Sequence, residues 1–334
     1  MKQRRFVCAA LALLAALTMG CSADTQTDSQ PELVLRYADN QPEGYPTTQA
    51  AYYFAELVEQ RTQGKIRVRV YANSELGDEV SVVEQLQFGG IDFARASLST
   101  LVTACPSLSV LQMPYLYDDA DQMWRVLDGE IGSQFLTAPR QSGIVGLSWF
   151  DAGARSFYTS EPVETLEDLQ GMRIRVQESD MMSRMVETLG ASAVQIPYSD
   201  VYSAIMSGKV DGAENNWPSY ASTGHYEGAP YVFLDEHSRI PEMQLMSTEA
   251  MDQILELDED YYTILCQCAR EAALYERELW TETEAQAEQE MLEKGCVVTV
   301  PDAQTMEELR SRMQPFYEEL SEENKALVER IRNS

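Results

Sequence analysis

Apolar residues recur along this chain with two alternating periods. Leu33-Val34-Leu35-Arg36-Tyr37 reads as a strand, and Ile66-Arg67-Val68-Arg69-Val70 alternates strictly, as a strand with one wet face does. Between them Ala50, Ala51, Phe54, Leu57 and Val58 fall at helical spacing, with Thr47 or Thr48 as the cap and Gly64 as the stop. Asp78 can cap a second helix through Val80, Val83, Leu86 and Phe88, closed by Gly89-Gly90, after which Ile91-Asp92-Phe93 returns as a strand. This βαβαβ order predicts a mainly parallel sheet covered by helices. The rhythm resumes after Gly143–Leu147, with candidate strands at Arg173–Val176, Ala193–Ile196 and Tyr231–Leu234 and helices near 180–189 and 199–207. From Asp258 to Lys294 nearly forty residues run without Pro or Gly, carrying Ile264, Leu265, Cys268, Ala272, Leu279 and Trp280 at helical positions. At about 1.5 Å per residue such a helix exceeds 50 Å and must brace two domains. A short strand, Val297–Val300, and an acidic helix from Asp302 close the pattern.

Length and composition agree with that division. The 334 residues, 44% hydrophobic and 24% charged, are ordinary globular usage and suit two domains. Charge changes the picture more: 25 Lys and Arg against 54 Asp and Glu give −29. A surface of that sign repels phosphate backbones and anionic lipid, so no nucleic-acid partner is expected and no electrostatic membrane docking. The first residues are of another kind. Lys2, Arg4 and Arg5 precede the apolar run Phe6–Leu17 and then Thr18-Met19-Gly20-Cys21. This describes an export leader, residues 1–20, too short to span a bilayer, with Cys21 placed for lipidation as the first mature residue. Residues 21–32 are polar and read as a flexible tether. Loss of the leader takes the charge from −29 to −32, and the membrane would be met through the lipid anchor alone. Periplasm and outer face of a single membrane are equally compatible.

Catalytic signatures are scarce. There are two histidines, His225 and His237, and no HExxH, GxSxG, GxxxxGK[ST] or Gly-rich dinucleotide motif. Abundant acids leave a carboxylate-pair glycosidase open by composition alone, though no pair stands out. Cys266-Gln267-Cys268 lies in a helical pattern and lacks a second ligand pair, so no metal or other cofactor is implied. What remains is arginine. Arg155 ends the segment Asp151-Ala152-Gly153-Ala154-Arg155, and in Arg173-Ile174-Arg175-Val176 the two arginines share one strand face. A guanidinium fork suits a carboxylate, either a ligand's in an enclosed cleft or that of a surface acid, which this chain supplies in plenty.

Several stretches then carry a resemblance over nearly the whole mature chain. They are Phe54-Ala55-Glu56-Leu57-Val58, Leu76-Gly77-Asp78-Glu79, Gly90-Ile91-Asp92-Phe93, Met113-Pro114-Tyr115-Leu116, Leu169–Val176, and Val201-Tyr202-Ser203-Ala204-Ile205 with Gly208-Lys209-Val210-Asp211-Gly212-Ala213-Glu214-Asn215. In order and spacing the chain resembles the DctP-type solute-binding proteins of tripartite ATP-independent periplasmic (TRAP) transporters. The resemblance implies an α/β, two-lobed periplasmic-binding-protein-like fold with crossing strands and a long bracing helix. Lobe I would take residues 33–152 and 242–280, and lobe II residues 153–241 and 281–334. It implies a non-enzymatic receptor that binds a small organic acid between the lobes and delivers it to TRAP permease subunits. A ligand-presenting ectodomain for a signalling receptor is the alternative role. By position, Arg175 would fork onto the ligand carboxylate, with Arg155 as a second arginine nearby. Asn215, in the Asp211–Asn215 turn, would fix the carboxylate or a neighbouring hydroxyl, and Tyr198 would pack on the ligand. Asn40, Glu79 and Ser97 match polar positions of the first lobe. Asn216-Trp217 and Gly228-Ala229-Pro230 depart from the family's usual continuations. The stretch Glu214–Tyr220 and the segment Asp235–Glu242 are similar to members that take sugar acids; the adjacent amides Asn215 and Asn216, both ligand candidates, and the nearby acid Glu242 suit a polyol acid such as a hexuronate, with a dicarboxylate or keto acid as the alternative.

Overall fold

Alternation puts Leu35 and Tyr37 on the buried side of the first strand, β1 (Leu33–Ala38), and Val34 and Arg36 on the outside. The same pattern in β2 (Ile66–Tyr71) buries Ile66 and Val68, and the two strands pair in parallel with Leu35 opposite Val68. These belong to a computed structural model that describes residues 30–334; the expected leader, Cys21 and most of the expected tether lie outside the described residues. The helix joining the two strands, Pro46–Arg61, is not capped by Thr47 or Thr48. It starts after Tyr45 with Pro46 in its first turn, where a missing N–H is no loss. The Thr47 hydroxyl donates instead to Asp39 at 3.1 Å, tying the helix to the end of β1. Gly64, at φ 78°, supplies the left-handed turn that returns the chain to β2.

Along the chain follow β3 (Phe93–Ser97), β4 (Ile144–Phe150), β5 (Ala154–Thr159), β6 (Arg173–Val176) and β7 (Ser192–Gln195). After them come β8 (Gly212–Asn215), β9 (Tyr231–Arg239), β10 (Glu242–Ser247) and β11 (Val297–Thr299). The third strand begins later than the apolar pattern suggests, because the Asp92 carboxylate takes the Arg36 amide at 2.7 Å ahead of the ladder. Two sheets result, ordered β2-β1-β3-β10-β4 and β11-β9-β5-β8-β6-β7. Neither is wholly parallel. In each, the antiparallel strand is the one entered from the other sheet: β5 follows β4 after three residues, and β10 follows β9 after two. Links that short leave no room for the helical crossover that parallel neighbours need.

The expected long helix spans Glu259–Glu293. Its first half buries Leu265, Cys268, Ala269 and Ala272 in the core under the first sheet, and Met291 near its end joins the core of the second. One helix thus packs on both layers, and the fold is the two-lobed α/β arrangement with crossing strands. The C-terminal helix is instead three, Ala303–Arg312, Gln314–Glu318 and Glu322–Arg332, broken at Met313-Gln314-Pro315 and restarted at Ser321, whose hydroxyl caps the third. No described helix is long and apolar enough to cross a membrane.

Candidate functional site

The order β5-β8-β6 in the second sheet sets Arg155, Asn215 and Arg175 side by side at one end. Asn215 lies in register with Ser156, and Arg175 with Ala213. The expected turn around Asp211–Asn215 is therefore strand β8, held on both sides by hydrogen-bonded neighbours. Both arginines are almost wholly buried, 4% and 2% exposed, yet their surroundings differ.

Arg155 is satisfied within the protein. Its Nε and Nη2 fork onto the Glu214 carboxylate at 2.5 and 3.0 Å, Nη2 also donates to the Glu214 carbonyl, and Nη1 donates to Asn215 Oδ1 at 2.9 Å. Burial disfavours the charge on Glu214, but Arg155 and His237 outweigh it and hold that carboxyl at about 2. His237 completes the chain of charges. Its Nδ1 is 3.1 Å from both Asp235 oxygens and its Nε2 is 3.5 Å from Glu214. Burial works against the imidazolium, and Asp235 and Glu214 overcome it, lifting His237 to about 9.

Arg175 has no such neutraliser. Its Nε donates to the Ile196 carbonyl at 2.9 Å, its Nη1 is buried without a partner, and no carboxylate among the described residues makes an ion pair with it. Burial pulls its pKa below the usual guanidinium value. A buried cation without a counter-charge is costly, and an anion of matching shape would relieve that cost.

The opposite wall is built on the first sheet. Arg95 of β3, 2% exposed, uses all five of its donors. Nε and Nη2 reach Asp39 at 3.2 and 2.7 Å, Nη2 also meets Asn40, and Nη1 reaches Glu79 at 2.9 Å and Glu242 at 3.1 Å. Glu79, at the start of the helix Glu79–Gln87, also accepts from the Ser97 amide and the Thr100 hydroxyl. Glu242 opens β10 with its Oε2 buried and unpartnered. Burial, reinforced by Glu79 and Asp39 and opposed by Arg95, raises its carboxyl to about 8, so at neutral pH it carries a proton.

Between the walls lies a cleft of about 500 Å³, a volume that includes open solvent at its mouth. Of the eight sequence-derived ligand residues, Asn40, Glu79, Arg155, Arg175, Tyr198, Asn215 and Asn216 line it. Ser97 does not; it sits behind Glu79, its hydroxyl capping the short helix Leu98–Leu101. Asn216 lines the cleft with its amide already engaged: Oδ1 caps the helix Trp217–Ser222 through the Ser219 N–H, and Nδ2 holds the Ala152 carbonyl at 2.9 Å. Sequence reasoning missed Arg95 altogether and singled out Glu242 only as a nearby acid. Arg95 left one signal, a lone charge in a strand of small and apolar residues, Phe93-Ala94-Arg95-Ala96-Ser97, whose every side chain is buried. A cleft that, among the described residues, has one free guanidinium on one wall and carboxyl, amide and hydroxyl groups on the other can hold a small molecule bearing one carboxylate and several hydroxyls.

Comparison with known proteins gives a consistent result. The family model described as bacterial extracellular solute-binding protein, family 7, matches residues 37–324. A solute-binding protein of Chromohalobacter salexigens is 34% identical over 328 residues, 98% of this chain and 95% of its own. A TRAP periplasmic solute-binding protein of Xanthobacter autotrophicus Py2, solved with bound β-D-galacturonate, is 37% identical with a TM-score of 0.85, covering 89% of this chain and 98% of its own. One from Chromohalobacter salexigens, with bound D-glucuronate, is 34% identical with a TM-score of 0.85, covering 90% and 99%.

Proposed function

The chain belongs to bacterial extracellular solute-binding protein family 7, the DctP family of TRAP solute receptors, and we propose that it captures a hexuronate in the cleft between its two sheets. The observation that carries this reading is Arg175, a buried guanidinium with its fork open and no internal carboxylate. The ligand carboxylate would take that fork, with Asn215 and the remaining Arg155 donor beside it. Hydroxyls would meet Asn40, Glu79 and Glu242, which offer acceptors and, on protonated Glu242, a donor. The uronates held by the two similar structures support this choice over a keto acid. We assign lobe I to residues 33–152 and 242–280 and lobe II to residues 153–241 and 281–334. Closure of the lobes would lower the dielectric around the ion pair and so favour the closed state when ligand is bound. The closed receptor would then hand the acid to its membrane permease, acting as a carrier and not as an enzyme. Export through the leader and anchoring by a lipid on Cys21 would keep it beside that permease.

A thermal-shift titration tests the reading. Galacturonate at 100 times its Kd stabilises by about 2.7 kcal/mol, which raises the melting temperature by a few degrees. The shift should disappear in Arg175→Ala, whose far-UV spectrum should be unchanged. An undiminished shift in that variant removes Arg175 from the site.

A further inference from the structure

We infer that the cleft admits one negative charge and rejects a ligand that carries two, with Asp78 and Glu79 setting that limit. The inference rests on the hexuronate reading and goes on to its charge selectivity.

The first argument is a count of donors. Three arginines line the cleft. Arg95 has all five N–H groups taken by Asp39, Asn40, Glu79 and Glu242. Arg155 has four of its five taken by Glu214 and Asn215, and its charge is matched by the Glu214 carboxylate. Among the described residues Arg175 alone of the three has an open fork, its Nε being the one donor in use. Once one carboxylate occupies that fork, no lining guanidinium is left with a fork for another.

The second argument is what a second carboxylate would meet. The lining groups of the first-sheet wall include Asp78, Glu79 and Glu242, with Asp39 directly behind Arg95, and Glu178 stands at the second-sheet side. Glu242, protonated at neutral pH, offers a single donor there and no positive charge to offset those acids. A hydroxyl is welcome beside these groups because it can donate to them; a carboxylate cannot donate, and like charges brought together in a closed cleft repel. Rejection built from such repulsion is a common route to specificity between similar ligands.

Three acids separate the possibilities in calorimetric titrations at pH 7.5. Galacturonate reports whether a hexuronate binds at all. Galactonate and galactarate share an open six-carbon chain and differ only at the last carbon, a hydroxymethyl in one and a carboxylate in the other. Galactarate should bind at least 100-fold more weakly than galactonate. Asp78→Asn and Glu79→Gln, which keep shape and remove the negative charge, should each narrow that gap at least tenfold by strengthening galactarate. Two variants are needed because Glu79→Gln can disturb Arg95 and Asp78→Asn can disturb the cap of the helix Glu79–Gln87, and circular dichroism establishes that each is folded. Absence of the gap in the wild type, including failure of both open-chain acids, overturns the inference while galacturonate binding preserves the hexuronate reading. A gap unchanged in both folded variants overturns the roles of Asp78 and Glu79. Failure of all three acids overturns the hexuronate reading, and the charge limit falls with it.

Discussion

Arg155 and Arg175 are the same residue type, nearly buried to the same degree, on strands that flank β8, and their neighbours give them different work. Glu214 neutralises the first, while the second has no carboxylate partner among the described residues. The sequence displayed both arginines and Asn215 but not this division, since Glu214 is 59 residues from Arg155 along the chain. Arg95 was illegible for the same reason. Its partners Glu79, Asp39 and Glu242 lie 16, 56 and 147 positions away, and nothing local marks the arginine as their meeting point. The division has a consequence for stability. Holding Arg175 buried and uncompensated destabilises the empty receptor, so Arg175→Met should melt higher than the wild type without ligand, by about 2–4 °C for each ~1 kcal/mol recovered. The same variant should show no shift with galacturonate. A lower melting temperature without ligand would mean that the hydrogen bond to the Ile196 carbonyl outweighs the buried charge.

At the scale of elements, the long helix and the crossing segment form one unit. Glu276, Trp280 and Glu284 recur at intervals of four along one face of the helix Glu259–Glu293 and meet the link Asp151–Gly153 between β4 and β5. The Glu276 carboxylate accepts from the Asp151 amide at 2.9 Å, and Asp151 in turn accepts from the Ala152 and Gly153 amides. Gly153, at φ 59°, brings the link so close that a Cβ there would fall 2.2 Å from a Glu284 oxygen. Helix length and bracing were legible from forty residues without a breaker. Strands β8 and β10 were not, because Glu214, Asn215, Glu242 and Gln244 stand where apolar residues would mark a buried strand. Local pattern rules fail where a site needs polar groups inside. Burial, with Asp151 adding repulsion and Arg239 opposing, raises the Glu284 carboxyl to about 7. A group raised above its unfolded value, about 4.3 for Glu, lends stability that is complete below that value and is lost as pH rises through its folded one. Between pH 5.5 and 8 the wild type should therefore lose more melting temperature than Glu284→Gln. Parallel pH profiles for the two proteins would show that Glu284 does not titrate in this range.

For the whole molecule the question is how an anion reaches a receptor of charge −29. At a distance the ligand meets the summed field of the surface acids, which repels it. Within the cleft it would, on the proposed reading, meet Arg175, close and enclosed, which would attract it. Salt acts unequally on the two. The Debye length falls from about 30 Å at 0.01 M to about 8 Å at 0.15 M, so the distant repulsion is removed, while a buried pair is screened far less. Galacturonate should therefore associate faster as salt is raised across that range, the reverse of ligands steered in by an attractive surface. Its dissociation rate should change little, because leaving the cleft means breaking the sheltered ion pair. Stopped-flow measurement of both rates decides the matter. An association rate that falls with salt would mean that the field of the cleft extends past its mouth and governs capture, in spite of the acidic surface around it.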